Sequence, residues 1–207
     1  MKVSVLSLIT GLVLAMSLPA YAEVKSVVLV HGAFADGSGW KPVADILARD
    51  GYSVRVVQEP ETTFAADLAA TQRVLDKAGP SVLVGHSYGG MIITEVGSHA
   101  NARALVYIAA FLPEVGETAG GLQSKIPPAT KGIGPVGDGF VAVEPEVFPD
   151  DFAAGVPKDV ARFMAISQVP IAGEIFEAKI TRAAWQDKPS YAVIPAEDRM
   201  INPNFRH

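Results

Sequence analysis

The stretch Ser81-Val82-Leu83-Val84-Gly85-His86-Ser87-Tyr88-Gly89-Gly90-Met91 decides the fold. Ser81–Val84 is a short apolar run of the kind that fills a strand buried on both faces. Gly89–His99 follows as a helix with Met91, Ile92 and Val96 on one side. Between them lies the pattern Gly85-x-Ser87-x-Gly89. On composition alone such a match is weak, but between a buried strand and a helix it has the layout of a nucleophile elbow. A turn that tight leaves no room for side chains around the serine, and Gly85, Gly89 and Gly90 supply that room. The turn lifts the Ser87 hydroxyl above the sheet edge at a helix N-terminus, where the dipole favours developing negative charge.

Upstream, strand and helix patterns alternate. Ser26–Val30 and Tyr52–Val57 read as strands. Trp40–Asp50 reads as a helix with Trp40, Val43, Ile46 and Leu47 on one face, and Gly51 as its stop. Thr62–Lys77 reads as a second helix closed by Gly79-Pro80, and Ala104–Ala109 as a fourth strand after Ser81–Gly85. This alternation predicts an α/β fold, a parallel sheet flanked by helices. In a sheet ordered 2-1-3-4-5, the loops after strands one and three meet at the topological switch point, where ligands bind. The loop after strand one is His31-Gly32-Ala33-Phe34-Ala35-Asp36-Gly37-Ser38-Gly39-Trp40. Its backbone is suited to an oxyanion hole, with Ala33 or Phe34 as first N–H donor and Tyr88, the residue after the serine, as second. His31 reads as ordering this loop rather than transferring protons.

Downstream the pattern breaks. Eight prolines lie from Pro113 to Pro170, and no strand period is visible from Leu112 to about Pro157. Phe140, Phe148, Phe152, Phe163, Met164 and Phe176 carry too much apolar surface for a solvated linker, so a cap over about residues 112–177 is expected. Val160–Gln168 and Glu174–Trp185 read as helical, and Ser190–Pro195 as a fifth strand.

The chain has 207 residues, a net charge of −5 and no cysteine. It is long enough for one sizeable core, excludes a thiol nucleophile, and has no basic run to suit nucleic acid or anionic membranes. Lys2, the apolar run Val3–Leu18 and Ala20-Tyr21-Ala22 have the layout of a secretory signal peptide cleaved after Ala22. The alternative, a membrane anchor, suits this short run less well. The expected domains are a signal peptide over 1–22 and one catalytic domain over 23–207, periplasmic or secreted and free of the membrane after cleavage.

The segments V-V-L-V-H-G-A-F-A-D-G-S-G-W, V-L-V-G-H-S-Y-G-G-M and A-E-D-R-M-I-N-P resemble a family of α/β hydrolases near plant methylesterases and hydroxynitrile lyases, in its bacterial exported branch. The resemblance runs from Val24 onward. It implies the α/β-hydrolase fold, a Ser–His–Asp triad, a helical cap and no cofactor or metal. Carried over, Ser87 is the nucleophile and Asp198, just after the fifth strand, is the acid that orients the histidine. Glu197 is its rival, and either could be a solvated turn residue. In that family the histidine lies well beyond the acid, whereas His207 follows Asp198 by nine positions. It stands after Asn202-Pro203, which reads as the opening of a helix.

His86 is expected to point away from the site, and His99 lies a full helix length from Ser87. The expectation is therefore a C-terminally truncated chain whose last strand and helix are missing and whose activity is impaired. The expected reaction is hydrolysis of a small apolar carboxylic ester through an acyl-enzyme on Ser87. A catalytically silent small-molecule-binding homologue and a hydroxynitrile-lyase-like activity are the alternatives.

Overall fold

A computed structural model describes residues 24–204; the signal-peptide reading and His207 lie outside them. The core is a five-stranded parallel sheet in the order β2-β1-β3-β4-β8. Its strands are β1 (Ser26–Val30), β2 (Ser53–Val56), β3 (Ser81–Ser87), β4 (Ala102–Ala110) and β8 (Ser190–Val193). The central register pairs Val28 with Leu83 and Leu83 with Leu105. This is the 2-1-3-4-5 order that alternating strands and helices imply, because right-handed crossovers place successive helices on both faces.

Side-chain alternation along the strands divides the apolar core in two. Val28, Val30, Leu83, Leu105 and Tyr107 face α2 (Phe64–Ala78) and α3 (Gly89–Val96). Val27, Leu29, Val84, Val106 and Ile108 face the other way with Trp40. Thr63 caps α2 through its hydroxyl, which accepts from the Ala66 amide, and Gly79 (φ +70) ends that helix. The helix α1 (Lys41–Arg49) is less buried than its periodicity predicts. Trp40 belongs to a 3-10 turn ahead of it, Ala44 and Leu47 pack on the sheet, and Val43 and Ile46 are exposed.

The segment from Leu112 to Gln186 corrects three readings. Where no strand period is legible, β5 (Ile133–Gly137) and β6 (Phe140–Val143) form an antiparallel hairpin, joined by β7 (Ile171–Ala172). Prolines and glycines hide the alternation, since Pro135, Gly134 and Gly137 occupy strand positions. Glu174–Trp185 is not one helix but two 3-10 turns, Gly173–Glu177 and Ala184–Gln186, with extended chain between. The cap is therefore not purely helical. Alongside the hairpin it holds α4 (Ala119–Lys125), α5 (Phe148–Asp151) and α6 (Lys158–Ser167). Its buried Leu122, Phe148, Ala165 and Ile171 belong to the same apolar cluster as α2 and α3. Among the described residues no helix is long and apolar enough to cross a membrane.

Candidate active site

Ser87 sits at the last position of β3 with φ +50. A non-glycine residue there is strained by its Cβ, and the strain persists only where neighbours hold it. The backbone is held on every side. A Cβ on Gly85 would lie 2.6 Å from the Gly89 carbonyl oxygen, and one on Gly89 would lie 2.5 Å from that of His31. One on Gly90 would lie 2.1 Å from the Phe111 oxygen. The pairing with β4 shifts register between His86 and Ser87, and Phe111 N–H donates to the Ser87 carbonyl at 3.2 Å. Gly32 backs directly onto the serine, because a Cβ there would stand 2.7 Å from the Ser87 Cβ. The loop after β1 and the elbow after β3 thus meet, as the switch-point argument requires.

Ser87 lines a cavity of about 560 Å³ with His86 and Ala109 from the sheet, Asp150 to Phe152 and Ala154 from the cap, and Pro195 to Ile201 from the loop after β8. Asp198 lines it as well, and its Oδ1 accepts from the amides of Met200 (2.8 Å) and Ile201 (2.9 Å). Those bonds fix the carboxylate at the opening of a turn. Glu197, the rival acid, is exposed. Arg199 and Asp151 pair across the cavity rim and join cap to core. A second hollow of about 670 Å³ shares Ala109 and Asp198 but does not reach Ser87.

The three described histidines have distinct surroundings. His99 lies beyond the end of α3 and is 3.0 Å from Asp76. His31 is buried, with Nδ1 3.0 Å from the Gly32 carbonyl and Nε2 against the Glu59 carboxylate. Burial pulls its pKa down, but Glu59, together with the Gly32 carbonyl and Asp36, more than offsets this and holds it above the ordinary value. His86 departs from expectation. It lines the Ser87 cavity, edge-on to Trp40 (6.4 Å) and to Phe152 (6.2 Å). The left-handed turn at Ser87 breaks strand alternation, so adjacent residues share one side. Burial lowers the His86 pKa to about 4, which makes it a neutral cavity wall.

A family model described as the alpha/beta hydrolase family matches residues 27–207. The chain belongs to the alpha/beta hydrolase family. This hydrolase is 33% identical over 117 residues to the carbendazim hydrolyzing esterase of Nocardioides sp., a match covering 49% of this chain and 48% of that protein. It thus spans about half the length of that relative. An extracellular alpha/beta-hydrolase from a Paenibacillus species superimposes with a TM-score of 0.70 at 18% identity, over 86% of this chain and 80% of that one. Polyneuridine aldehyde esterase does so with a TM-score of 0.74 at 16% identity, over 88% of this chain and 84% of its own. These structural likenesses bear on the fold.

The hydrolase brings together Ser87, Asp198 and the loop containing Ala33 and Phe34, all singled out from sequence. Among the described residues no histidine is hydrogen-bonded to Ser87 or Asp198, and no group of three or more His, Cys, Asp or Glu side chains could hold a metal ion. The sequence reading missed a buried acidic group behind the His31–Trp40 loop: Glu59, Glu61 and Asp67, exposed by 6%, 0% and 0%. The available signal was their position, since Glu59-Pro60-Glu61 lies just past the C-terminal end of β2, on the ligand-binding edge of the sheet.

Proposed function

We propose that this hydrolase cleaves small, mainly apolar carboxylic esters through an acyl-enzyme on Ser87, with Asp198 as the carboxylate that orients a histidine base. The observation that carries the reading is Ser87 itself, held at φ +50 at a helix N-terminus, in one cavity with Asp198. Attack by the hydroxyl on the ester carbonyl forms a tetrahedral oxyanion, for which the Tyr88 amide and the amide of Ala33 or Phe34 would be the donors. Collapse expels the alcohol, and water then hydrolyses the acyl-serine. The apolar cavity walls Phe152, Ala154 and Met200 favour apolar acyl or alcohol groups. The esterase relative from Nocardioides supports the ester class.

His31, His86 and His99 are each engaged elsewhere or too weakly basic, so we assign the proton-removing group to a position outside residues 24–204. The test is covalent. A fluorophosphonate incubated with the 207-residue chain should be found by peptide mass spectrometry on Ser87 alone. Modification spread over surface serines and tyrosines, with Ser87 unmodified, sinks the reading. Labelling of Ser87 that no added imidazole base turns into ester turnover above the trace level instead favours the silent binding homologue.

We also propose that the chain is exported, on the signal-peptide layout of Lys2 to Ala22 and with support from the extracellular Paenibacillus neighbour. Edman sequencing of protein exported from a bacterial host should begin at Glu23. Retention of Met1 in a membrane-bound product would overturn export by cleavage.

A further inference from the structure

Asp198 stands in the loop that leaves the sheet after β8, and two amides fix its carboxylate. Met200 N–H and Ile201 N–H donate to its Oδ1 at 2.8 and 2.9 Å. Each of these amides belongs to a peptide whose other end is held by the cap. The Met200 N–H shares its peptide with the Arg199 carbonyl, which accepts the Thr130 N–H at 2.9 Å. The Ile201 N–H shares its peptide with the Met200 carbonyl, which accepts from the Gln123 side chain at 3.4 Å. A trans peptide is planar and directs its N–H and C=O to opposite sides. The two peptides are therefore rigid struts, with the Asp198 carboxylate on one side and the cap on the other.

Two further contacts brace the struts. The Arg199 guanidinium pairs with Asp151 on α5, and the Asn202 side chain donates to the Pro127 carbonyl at 3.1 Å. Arg199 is thus gripped twice, by Thr130 at its carbonyl and by Asp151 at its side chain. Thr130 is buried, so its N–H would be left without a partner if the Arg199 carbonyl moved away. Ile201 seats the loop in the main apolar cluster, but the peptides that aim the carboxylate are held from the cap side.

We propose that the cap positions Asp198 through these two peptides, with Arg199 as the positioning residue. The acid role of Asp198 rests on the reading given above, whereas the link between cap and carboxylate does not. Because α5 also lines the Ser87 cavity, lifting it to admit a substrate slackens the carboxylate, and closure resets it. The coupling is reciprocal, so loosening Asp198 also loosens the cap.

The test is amide hydrogen exchange, followed by NMR, on the 207-residue chain and its variants. Arg199→Met should speed exchange at Thr130, Met200 and Ile201 by one common factor of about two- to fivefold, the scale of a half-exposed ion pair. Leu83 and Ile92, in the core, should exchange as before. Arg199→Lys should restore most of the protection. Asp151→Asn breaks the same pair with little change of shape and should repeat the effect of Arg199→Met. Asp198→Ala should speed exchange at Thr130, although Thr130 donates to Arg199 and not to Asp198. Faster exchange at Thr130 with Met200 and Ile201 unchanged overturns the proposal, as does an Asp198→Ala chain whose Thr130 exchanges at the wild-type rate. Turnover of p-nitrophenyl acetate driven by added imidazole reads the acid role separately. Arg199→Met and Asp198→Ala should both lower it, and Arg199→Lys should recover it. A common exchange factor with imidazole-driven turnover untouched by Asp198→Ala overturns the acid reading and leaves the link from cap to carboxylate standing.

Discussion

Ser87→Ala is expected to remove all acyl-enzyme formation and all fluorophosphonate labelling from this chain. The methyl side chain has no oxygen to attack with, while the surrounding backbone loses nothing, because the elbow is held by Gly85, Gly89 and Gly90 rather than by the serine hydroxyl. The fold and melting temperature should therefore survive. Turnover of p-nitrophenyl acetate carries separate information. The members of a nucleophile–base–acid set act as a unit, so the first loss costs most of the rate and later ones little. What remains comes from the oxyanion hole and binding, on the order of 10³ to 10⁴ over water.

No described histidine is bonded to Ser87 or Asp198, so unless His207 serves as the base the 207-residue chain is expected to stand near that floor. Its turnover should fall by no more than about tenfold on Ser87→Ala. Ordinary enzymatic turnover that both Ser87→Ala and His207→Ala remove would overturn this expectation and make His207 the base.

Gly90→Ala is expected to destabilise the protein more than any other conservative change at the site. The added methyl would meet the Phe111 carbonyl oxygen at 2.1 Å and the Ala110 Cβ at 3.0 Å. Backbone cannot turn aside as a flexible side chain can, so either α3 or the end of β4 must move. The Phe111 amide is also the donor to the Ser87 carbonyl, so the elbow moves with it. A cost of about 3 kcal/mol or more follows, which for a chain of this size lowers Tm by roughly 6 to 12 °C. Gly39→Ala serves as the control, since no atom lies within 4 Å of its added Cβ. Its melting point should match the wild type or rise slightly, because alanine narrows the unfolded ensemble. Equal melting points for the two variants would show that the close approach at Gly90 is not real.

The elements differ in how far they could be read in advance. β1, β3, α2 and α3 are legible because each has a single dominant signal: a continuous apolar run, a helical period closed by Gly79-Pro80, or glycines bracketing a serine. The β5–β6 hairpin is not legible, because its prolines and glycines spoil the period and its pairing partner β7 lies about thirty residues on. α1 looks amphipathic, yet Val43 and Ile46 remain in solvent. Periodicity reports which residues share a face and not whether that face is covered.

The same division holds at the site. The residue types and the order of strands and helices determine by themselves that Ser87 sits on a strand-to-helix turn, that the His31–Trp40 loop meets it, and that Asp198 follows the last described strand. These follow from local geometry and from the handedness of crossovers, which need no knowledge of packing. Tertiary structure alone decided that His86 turns into the cavity, that His31 is spent on Glu59, and that Glu61 and Asp67 are buried behind the His31–Trp40 loop. Those outcomes depend on which distant segments share one dry space. Nothing in the spacing of Glu59, Glu61 and Asp67 marks them as buried; only the packing of β2, α2 and β7 around them takes three carboxyls out of water.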